Sequence, residues 1–180
     1  MTARKLRRDE IPQVWNIDRA EVIQRIYYLA DGELALKPTC SDLKGWPLGE
    51  PEIYTPLLFE CFDRGGWFYG LFEEAKLIAA VVLDCQWMGN ERGQLQLKFL
   101  HVGSAFRNKG MGKALFSAAV SEAARRGAKK LYISATPSEH TVKFYIGLGC
   151  KLVDSPDPEL LRLEPYDIHL EYAIGASQLP

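Results

Sequence analysis

The sequence predicts an α/β (α+β) fold in which a single mixed, mostly antiparallel sheet is flanked by helices. Three observations lead to this class. Two β-rich runs, residues 67–72 and 76–86, surround a short turn and predict a hairpin. A strand, a glycine-rich turn, a helix and a further strand follow between residues 94 and 134, and such a crossover places its two strands in parallel. Two last β-rich runs, at residues 151–153 and 166–174, predict a closing antiparallel pair.

The first third of the chain predicts short elements. Residues 3–7 predict a strand, and Asp9 is the candidate N-cap of a helix whose apolar residues recur at helical spacing. Residues 21–29 predict a second helix that ends at the Asp31-Gly32 turn, and residues 34–36 predict a short strand.

Residues 38–56 contain several prolines and glycines, which predicts a long irregular segment of the kind that often carries function. A short helix at residues 56–64 leads into the hairpin. The later elements follow in this order: a polar turn at residues 89–93, a strand at 94–102, a helix at 113–126 with Gly127 as its C-cap, a strand at 130–134, a helix at 138–148, and the closing pair with its proline-rich connection. We expect residues 1–180 to form one domain with a sizeable core.

Composition excludes several classes of function. With 22 basic and 23 acidic residues the net charge is −1, so no broad field attracts nucleic acid or acidic membranes. The four cysteines and three histidines do not cluster, which predicts no metal site and no disulfide framework. No apolar leader follows Met1, and no run is long enough to span a bilayer. We therefore expect a cytoplasmic protein without nucleic-acid or membrane partners.

A glycine-rich segment, Arg107 to Gly112, joins the predicted strand at 94–102 to the helix at 113–126. Glycine has no Cβ, so it lets the backbone approach a ligand closely. The first turn of a helix has N–H groups without internal acceptors, and the helix dipole favours negative charge there. Lys109 and Lys113 add positive charge. The segment therefore predicts a site for the diphosphate of a nucleotide-like cofactor.

Two common phosphate-binding loops do not fit this segment. The P-loop requires Ser or Thr after its Gly-Lys pair, but Ala114 follows Gly112 and Lys113. The dinucleotide fingerprint requires a third glycine, which is missing at that spacing after Gly112. Binding of ATP or NAD at this turn is therefore an alternative function for which the usual sequence motif is missing.

The pattern that does fit is Arg/Gln-x-x-Gly-x-Gly/Ala after a strand that ends in valine. In residues 97–120 it resembles the acetyl-CoA-binding motif of the GNAT family of N-acetyltransferases. Residues 131–150 resemble the second conserved block of that family, with Tyr145 at the family tyrosine and Gly149 at the glycine. Cys150 replaces the usual aromatic residue, and Ser138 stands where many members carry asparagine. The resemblance covers residues 68–172 well and the first 67 residues only loosely.

This resemblance implies the acyl-CoA N-acyltransferase (GNAT) fold and acetyl-CoA as the cofactor. In the family the two parallel strands splay apart, the pantetheine arm lies in the cleft, and the thioester emerges near the tyrosine. The resemblance also implies a small-molecule or peptide amine as acceptor, and it leaves a homodimer open. The residues implied in cofactor binding are Leu100, His101, Val102, Arg107, Asn108, Lys109, Gly110, Met111, Gly112, Lys113 and Ser138.

Acetyl transfer to an amine needs a held thioester, a neutral amine, a donor for the oxyanion, and a proton for the departing thiolate. The resemblance makes Tyr145 the proton donor, since a phenol with a pKa near ~10 suits a thiolate whose conjugate acid is near ~8.5. The general base is left open. Gln96 stands near the position of the glutamate in the histone-modifying branch, so Asp84, His101 and ordered water are the candidates.

The leading interpretation is an N-acetyltransferase that moves acetyl from acetyl-CoA to a primary amine by direct attack. An acyl-CoA-binding sensor without catalysis is the alternative that Gln96 favours. Residues 17–36 and early aromatics such as Trp15 and Trp46 are candidates to line the acceptor site, although core packing is the default for each aromatic.

Overall fold

The computed structural model describes residues 1–89 and 93–175. Within these residues, seven strands form one mixed sheet in the order β1-β4-β5-β6-β7-β9-β8, and β2 pairs with β3 in a separate ribbon. The strands are β1 (Thr2–Lys5), β2 (Glu21–Ala30), β3 (Glu33–Leu43), β4 (Trp67–Glu73), β5 (Lys76–Met88), β6 (Gln94–Val102), β7 (Lys130–Ala135), β8 (Lys151–Leu152) and β9 (Ile168–Ala173). The helices are α1 (Glu50–Asp63), α2 (Met111–Arg125), α3 (Glu139–Gly147) and α4 (Pro158–Leu163). The predicted fold class is confirmed.

The parallel pair of the sheet forms as predicted but is short. Strands β6 and β7, which α2 connects, pair only from Gln94 to Gln96 on β6 and from Lys130 to Tyr132 on β7. The other strand pairs in the described sheet are antiparallel. Because both strands continue past their last paired residues, they separate and leave a cleft between their carboxyl ends.

A β-bulge at Lys98 turns β6 at the point where this cleft begins. On β5, Val82 pairs with Phe99 and Leu83 pairs with Leu97, so Lys98 is an extra residue on β6. Leu97 therefore packs in the apolar layer beneath α2, whereas Phe99 contacts the layer on the opposite face of the sheet. Without the extra residue these two side chains would lie on the same face.

Two apolar layers hold the helices on the sheet. One lies between the sheet and helices α2 and α3, and the other between the sheet, α1 and the 3-10 helix Arg8–Asn16. Helix α2 presents residues spaced by three or four to its layer, which is the spacing of one helical face. Those residues are Leu115, Phe116, Ala119, Val120 and Ala123.

The predicted helix at residues 21–29 is wrong, since these residues form strand β2. Its β-branched and aromatic side chains favour a strand, and β3 pairs with it along nearly its whole length. Asp31 and Gly32, with φ of 52° and 82°, form the tight hairpin turn instead of a helix end. Tyr27 N–H donates to the Pro137 carbonyl at 2.8 Å, which seats the ribbon at the start of α3.

Three other expectations in the connections need correction. Much of the predicted loop at 38–56 is regular, because β3 continues to Leu43 and α1 already begins at Glu50. Gly49 makes this early start possible with φ of 86°. The proline-rich connection contains helix α4, capped by the Asp157 carboxylate. Arg7, not Asp9, is the N-cap of the first helix, and the predicted turn at 89–93 lies mostly outside the described residues.

Within the described ranges, no helix has both the length and the apolar character needed to cross a membrane.

The buried carboxylate of Glu10 ties β1 to the first helix and should contribute to stability. It accepts hydrogen bonds from the Arg4 guanidinium at 2.7 and 2.8 Å and from the Arg7 N–H at 2.8 Å. The Arg4 hydrogen bond, against the opposing effect of burial, lowers the pKa of Glu10 from 4.5 to about 2. The folded pKa lies below the unfolded one, so this stability is present above about pH 4.5 and is lost as the pH falls towards 2.

We expect Glu10→Gln to lower the free energy of unfolding by about 1–3 kcal/mol at neutral pH. Urea denaturation between pH 7 and pH 3 measures the difference, which should shrink as the pH falls because protonated glutamic acid resembles glutamine. Asp9→Asn is the matched control, since Asp9 makes only an exposed ion pair and should change stability by less than about 0.5 kcal/mol. A difference that is constant with pH would contradict this account.

Candidate active site

The glycine-rich segment before α2 has the backbone of an anion-binding turn. Asn108 and Gly110 have φ of 60° and 80°, and Gly110 is the N-cap of α2. The N–H groups of Met111, Gly112 and Lys113 therefore begin the helix without intrahelical acceptors. A Cβ on Gly112 would lie 3.2 Å from the Phe144 ring, so glycine is needed for close packing against α3.

The side chain of Arg107 holds this segment in place. Its guanidinium donates to the Val102 carbonyl at 3.1 Å and to the Ala20 carbonyl at 2.9 Å. Lys109 donates to the Ala105 carbonyl at 2.9 Å. Both cations thus fix the turn and β2 while adding positive potential, and Lys113 stands exposed at the first turn of α2.

A cavity of about 520 Å³ connects the start of α2 with helices α1 and α4. It runs along the splayed carboxyl end of β6, so the cleft predicted from the resemblance exists. The predicted residues that line it are Gln96, Leu100, His101, Val102, Arg107, Asn108, Gly110, Gly112, Lys113 and Tyr145.

Tyr145 on α3 is buried, with only 6% of its surface exposed, and that surface faces the cavity. Its ring packs edge-on against Phe116 and Phe144. No group in the described part of the chain hydrogen-bonds to its hydroxyl. Burial raises the pKa of Tyr145, and the charges of Cys150 and Asp167 raise it further. The phenol therefore stays protonated at neutral pH.

Carboxylates gather at the end of the cavity formed by α1 and α4. Glu50 pairs with Arg19 at 3.1 Å, and Glu164 accepts a hydrogen bond from the Tyr54 hydroxyl. Asp167, just before β9, accepts a hydrogen bond from Ser134 Oγ at 2.9 Å.

The pKa shifts of Asp167 and Glu50 show that both carboxylates lie close to the charge of Glu164. Burial raises the pKa of Asp167 to about 6, with Glu164 adding to the shift and Ser134 and Arg19 opposing it. Burial also raises the pKa of Glu50, which Arg19 opposes. Arg19 opposes the shifts of both Glu50 and Asp167, while the charge of Glu164 adds to both, so negative charge predominates among these groups at neutral pH.

An aromatic wall covers the same end of the cavity. Trp46 lies 4.8 Å from Trp15, 5.8 Å from Phe99 and 4.5 Å from the His101 ring, measured between ring centroids. Its indole N–H donates to a backbone carbonyl at 2.9 Å, which fixes the ring. Arg19 stacks over Trp46 at 5.0 Å. Rigid aromatic faces beside carboxylates are suited to a cationic ligand.

The two side chains predicted as substitutes for the base have different surroundings. His101 lines the cavity, but burial and the charges of Arg19 and Arg107 lower its pKa well below the usual value, which makes it a weak base. Asp84 does not line the cavity. It accepts a hydrogen bond from Arg64 at 2.6 Å, and although burial raises its pKa, Arg64 and Lys98 produce a net downward shift.

Three further predicted cofactor residues lie outside the cavity wall. Ser138 is buried as the N-cap of α3, where its Oγ accepts from the Thr141 N–H at 3.3 Å. Lys109 and Met111 belong to the turn before α2 without lining the cavity. Their backbone N–H groups remain part of the anion-binding turn.

The carboxylate end was missed by reasoning from the sequence. Glu50 and Tyr54 belong to the predicted irregular segment at 38–56, Glu164 belongs to the proline-rich connection, and Asp167 falls within the predicted strand at 166–174. The local signal in the sequence is a single acidic residue, Asp167, at the start of this predicted apolar strand.

Comparisons with known proteins agree with this geometry. The model of the acetyltransferase (GNAT) family matches residues 34–149, which is more than half of the chain. No curated protein matches the sequence of this chain.

Solved structures share the fold at low sequence identity. Nourseothricin acetyltransferase has a TM-score of 0.71 at 16% identity, with 97% of this chain and 98% of that chain covered. A protein from Bacillus anthracis described as a streptothricin acetyltransferase, in complex with acetyl coenzyme A, has the same TM-score, identity and coverage. PaiA N-acetyltransferase from Thermoplasma acidophilum, in complex with coenzyme A, has a TM-score of 0.63 at 15% identity, with 96% and 98% covered.

The turn before α2, the splayed strands and the family match converge on one assignment. Acetyl-CoA is the cosubstrate that this assignment supports. The chain belongs to the acetyltransferase (GNAT) family.

Proposed function

We propose that this protein is an N-acetyltransferase that transfers acetyl from acetyl-CoA to a primary amine of a cationic acceptor by direct attack. The observation that carries the proposal is that one cavity joins an anion-binding helix start to an end lined by carboxylates and aromatic rings. Each end matches the charge of one substrate, so the fold brings a negatively charged acyl carrier and a positively charged amine together.

The turn before α2 fits the diphosphate of coenzyme A. The N–H groups of Met111, Gly112 and Lys113 and the positive end of the helix dipole favour a diphosphate there. Val102 and Leu100 lie on the part of β6 that has separated from β7. Although the Val102 carbonyl binds Arg107, the rest of this backbone edge is open to an extended chain. Acetyl-CoA supplies an activated acetyl group, and these residues hold and orient its carrier.

Tyr145 supplies the proton for the leaving thiolate in this proposal. Its raised pKa keeps the hydroxyl protonated at neutral pH, and its position in the cavity wall exposes the hydroxyl to the reacting groups. Tight packing against Phe116 and Phe144 fixes the ring, which limits the motion of the proton donor.

The acceptor should carry positive charge besides its reactive amine. The excess negative charge near Glu50, Glu164 and Asp167 is unfavourable without a bound cation. Nourseothricin acetyltransferase and the protein described as a streptothricin acetyltransferase share the fold and take their names from nourseothricin and streptothricin as acceptors. The cavity of about 520 Å³ in this chain also suits a small molecule.

The test is an acceptor screen with acetyl-CoA. Primary mono- and diamines, amino acids, basic antibiotics and peptides with free N-termini are compared by thiol release and by mass spectrometry of the acetylated product. We expect turnover with cationic amines and none with the matching alcohols. If acetyl-CoA binds tightly and no amine is acetylated, the proposal falls and the acyl-CoA sensor that Gln96 favoured replaces it.

A further inference from the structure

We propose that Asp167 is the carboxylate that binds the ammonium group of the acceptor and accepts its proton. This inference rests on the proposed function above, because it assigns a residue to the acceptor side of the same cavity. It replaces both Asp84 and His101 as the general base.

The backbone places Asp167 where β7, α4 and β9 meet at the cavity. Its N–H donates to the Glu164 carbonyl at 3.1 Å, directly before β9 begins at Ile168. Its Oδ2 accepts a hydrogen bond from Ser134, which lies on β7 and also lines the cavity. Oδ1 accepts no hydrogen bond from the described residues, so one oxygen is fixed and the other is available.

The other carboxylates in the cavity wall are engaged or lie elsewhere. Glu50 forms a salt bridge with Arg19, and Glu164 accepts a hydrogen bond from the Tyr54 hydroxyl. Glu21 follows Ala20, whose carbonyl binds Arg107 near the start of α2, so it belongs to the opposite end.

Two further polar side chains that line the same cavity have no hydrogen-bond partners within the described ranges. Tyr145 is 6% exposed and Gln96 is 9% exposed, both line the cavity, and neither side chain hydrogen-bonds to a described residue. Tyr145 lies close enough for the charge of Asp167 to raise its pKa. Because these polar atoms face the cavity and have no partner in the described part of the chain, they are free to hydrogen-bond a polar ligand there.

The proposed step balances as follows. The acceptor ammonium gives one proton to Asp167, and the freed nitrogen lone pair forms a C–N bond with the acetyl carbonyl carbon while the C–S bond breaks. Tyr145 donates its hydroxyl proton to the departing thiolate and regains one from the acylated nitrogen, which leaves a neutral amide. Asp167 then releases its proton to water. The net products are the acetamide, the free thiol and one proton.

The charged and titratable groups around Asp167 determine the pH dependence. Ser134 donates to it from β7, Glu164 repels it from the end of α4, Arg19 attracts it, and Tyr145 faces it from α3. Tyr54 on α1 also senses its charge. Because Asp167 must be ionised, kcat/KM should fall as the pH drops below about 6.

Two variants should move this acidic limb in opposite directions. Ser134→Ala removes a hydrogen bond that favours the carboxylate, so the limb should shift to higher pH. Glu164→Gln removes a repelling charge, so the limb should shift to lower pH.

Asp167→Asn should lower kcat/KM about 100-fold and leave the Kd of acetyl-CoA within about twofold. Glu159→Gln, an exposed carboxylate on α4, is the control that should leave the profile unchanged.

A titration without turnover makes the test independent of activity. Carboxyl ¹³C NMR of the whole protein, with Asp167→Asn to assign the resonance, should show Asp167 titrating near pH 6. Addition of 1-butylamine should lower this midpoint because a bound ammonium favours the carboxylate, whereas 1-butanol should leave it unchanged.

The outcomes separate the two proposals. A midpoint near 3.9, the value of a free aspartate, or one that 1-butylamine does not move, overturns the assignment of Asp167 even if amines are acetylated. A midpoint that responds to 1-butylamine, together with no acetylated product from any amine, overturns the proposed function and the proton-transfer role. An acidic limb that stays in place in both Ser134→Ala and Glu164→Gln removes Asp167 from the rate-determining ionisation.

Discussion

Replacing Tyr145 with phenylalanine should lower kcat by about 100-fold or more, while the Kd of acetyl-CoA stays within about twofold of the wild-type value. The substitution removes one hydroxyl from a ring that is otherwise held by Phe116 and Phe144. That hydroxyl has no partner among the described residues, so its loss breaks no internal hydrogen bond and the fold should be unaffected. The effect therefore reports on the proton donor alone.

Steady-state thiol release measures kcat, and isothermal titration calorimetry measures the Kd. Tyr69→Phe is the matched control, since Tyr69 stacks on Trp67 at 5.0 Å away from the cavity and should keep kcat unchanged. The rate with acceptors should also become sensitive to thiol leaving-group quality in Tyr145→Phe, because the departing sulfur then lacks its proton donor. Unchanged turnover would show that Tyr145 only packs.

Part of the site could be predicted from the sequence because its signals are local. Gly110 needs a left-handed backbone at the start of α2, and Gly112 needs room against Phe144, so both glycines mark the turn wherever the rest of the chain lies. The strand before the turn ends at Val102 as predicted. A strand, a glycine turn and a helix within about thirty residues form a self-contained unit, and a motif describes such a unit well.

The ribbon β2–β3 shows why the first third was harder to predict. In residues 21–29, apolar side chains recur at spacings that fit both a helix and a strand, and only pairing with β3 decides between them. The Asp31-Gly32 pair indicates a turn, but the same pair can end a helix or close a hairpin. Tertiary contacts with α3 then stabilise the strand.

The acceptor end could not be predicted because it is assembled from distant segments. Asp167 acquires its raised pKa from burial beside Glu164 and its orientation from Ser134, which lies 33 residues earlier on β7. Arg19 and Glu50 come from the opposite end of the chain. No spacing along the sequence records these contacts, since they depend on the antiparallel pairing of β7 with β9.

Introducing a negative charge at Gly110 should weaken acetyl-CoA binding by about 10- to 100-fold, which is the effect of a like charge a few ångströms from a diphosphate at a protein surface. Gly110 is suited to this test because a Cβ there would meet no atom within 4 Å, whereas one on Gly112 would press on Phe144. Gly110→Asp should keep the fold at some cost in stability, because aspartate tolerates the left-handed backbone better than most residues.

Gly110→Asn is the control that separates charge from shape. It has the same size and the same backbone requirement at φ of 80°, so its Kd for acetyl-CoA should be much closer to that of the wild type. Titration calorimetry at low and high ionic strength should show the difference between the two variants shrinking as salt screens the added charge.

The Tm of Gly110→Asp without ligand should equal or exceed that of Gly110→Asn, since a carboxylate at the helix start is favourable. Stability and acetyl-CoA affinity would then change in opposite directions, a pattern that damage to the fold does not produce. Equal Kd values for the two variants would show that the diphosphate binds elsewhere.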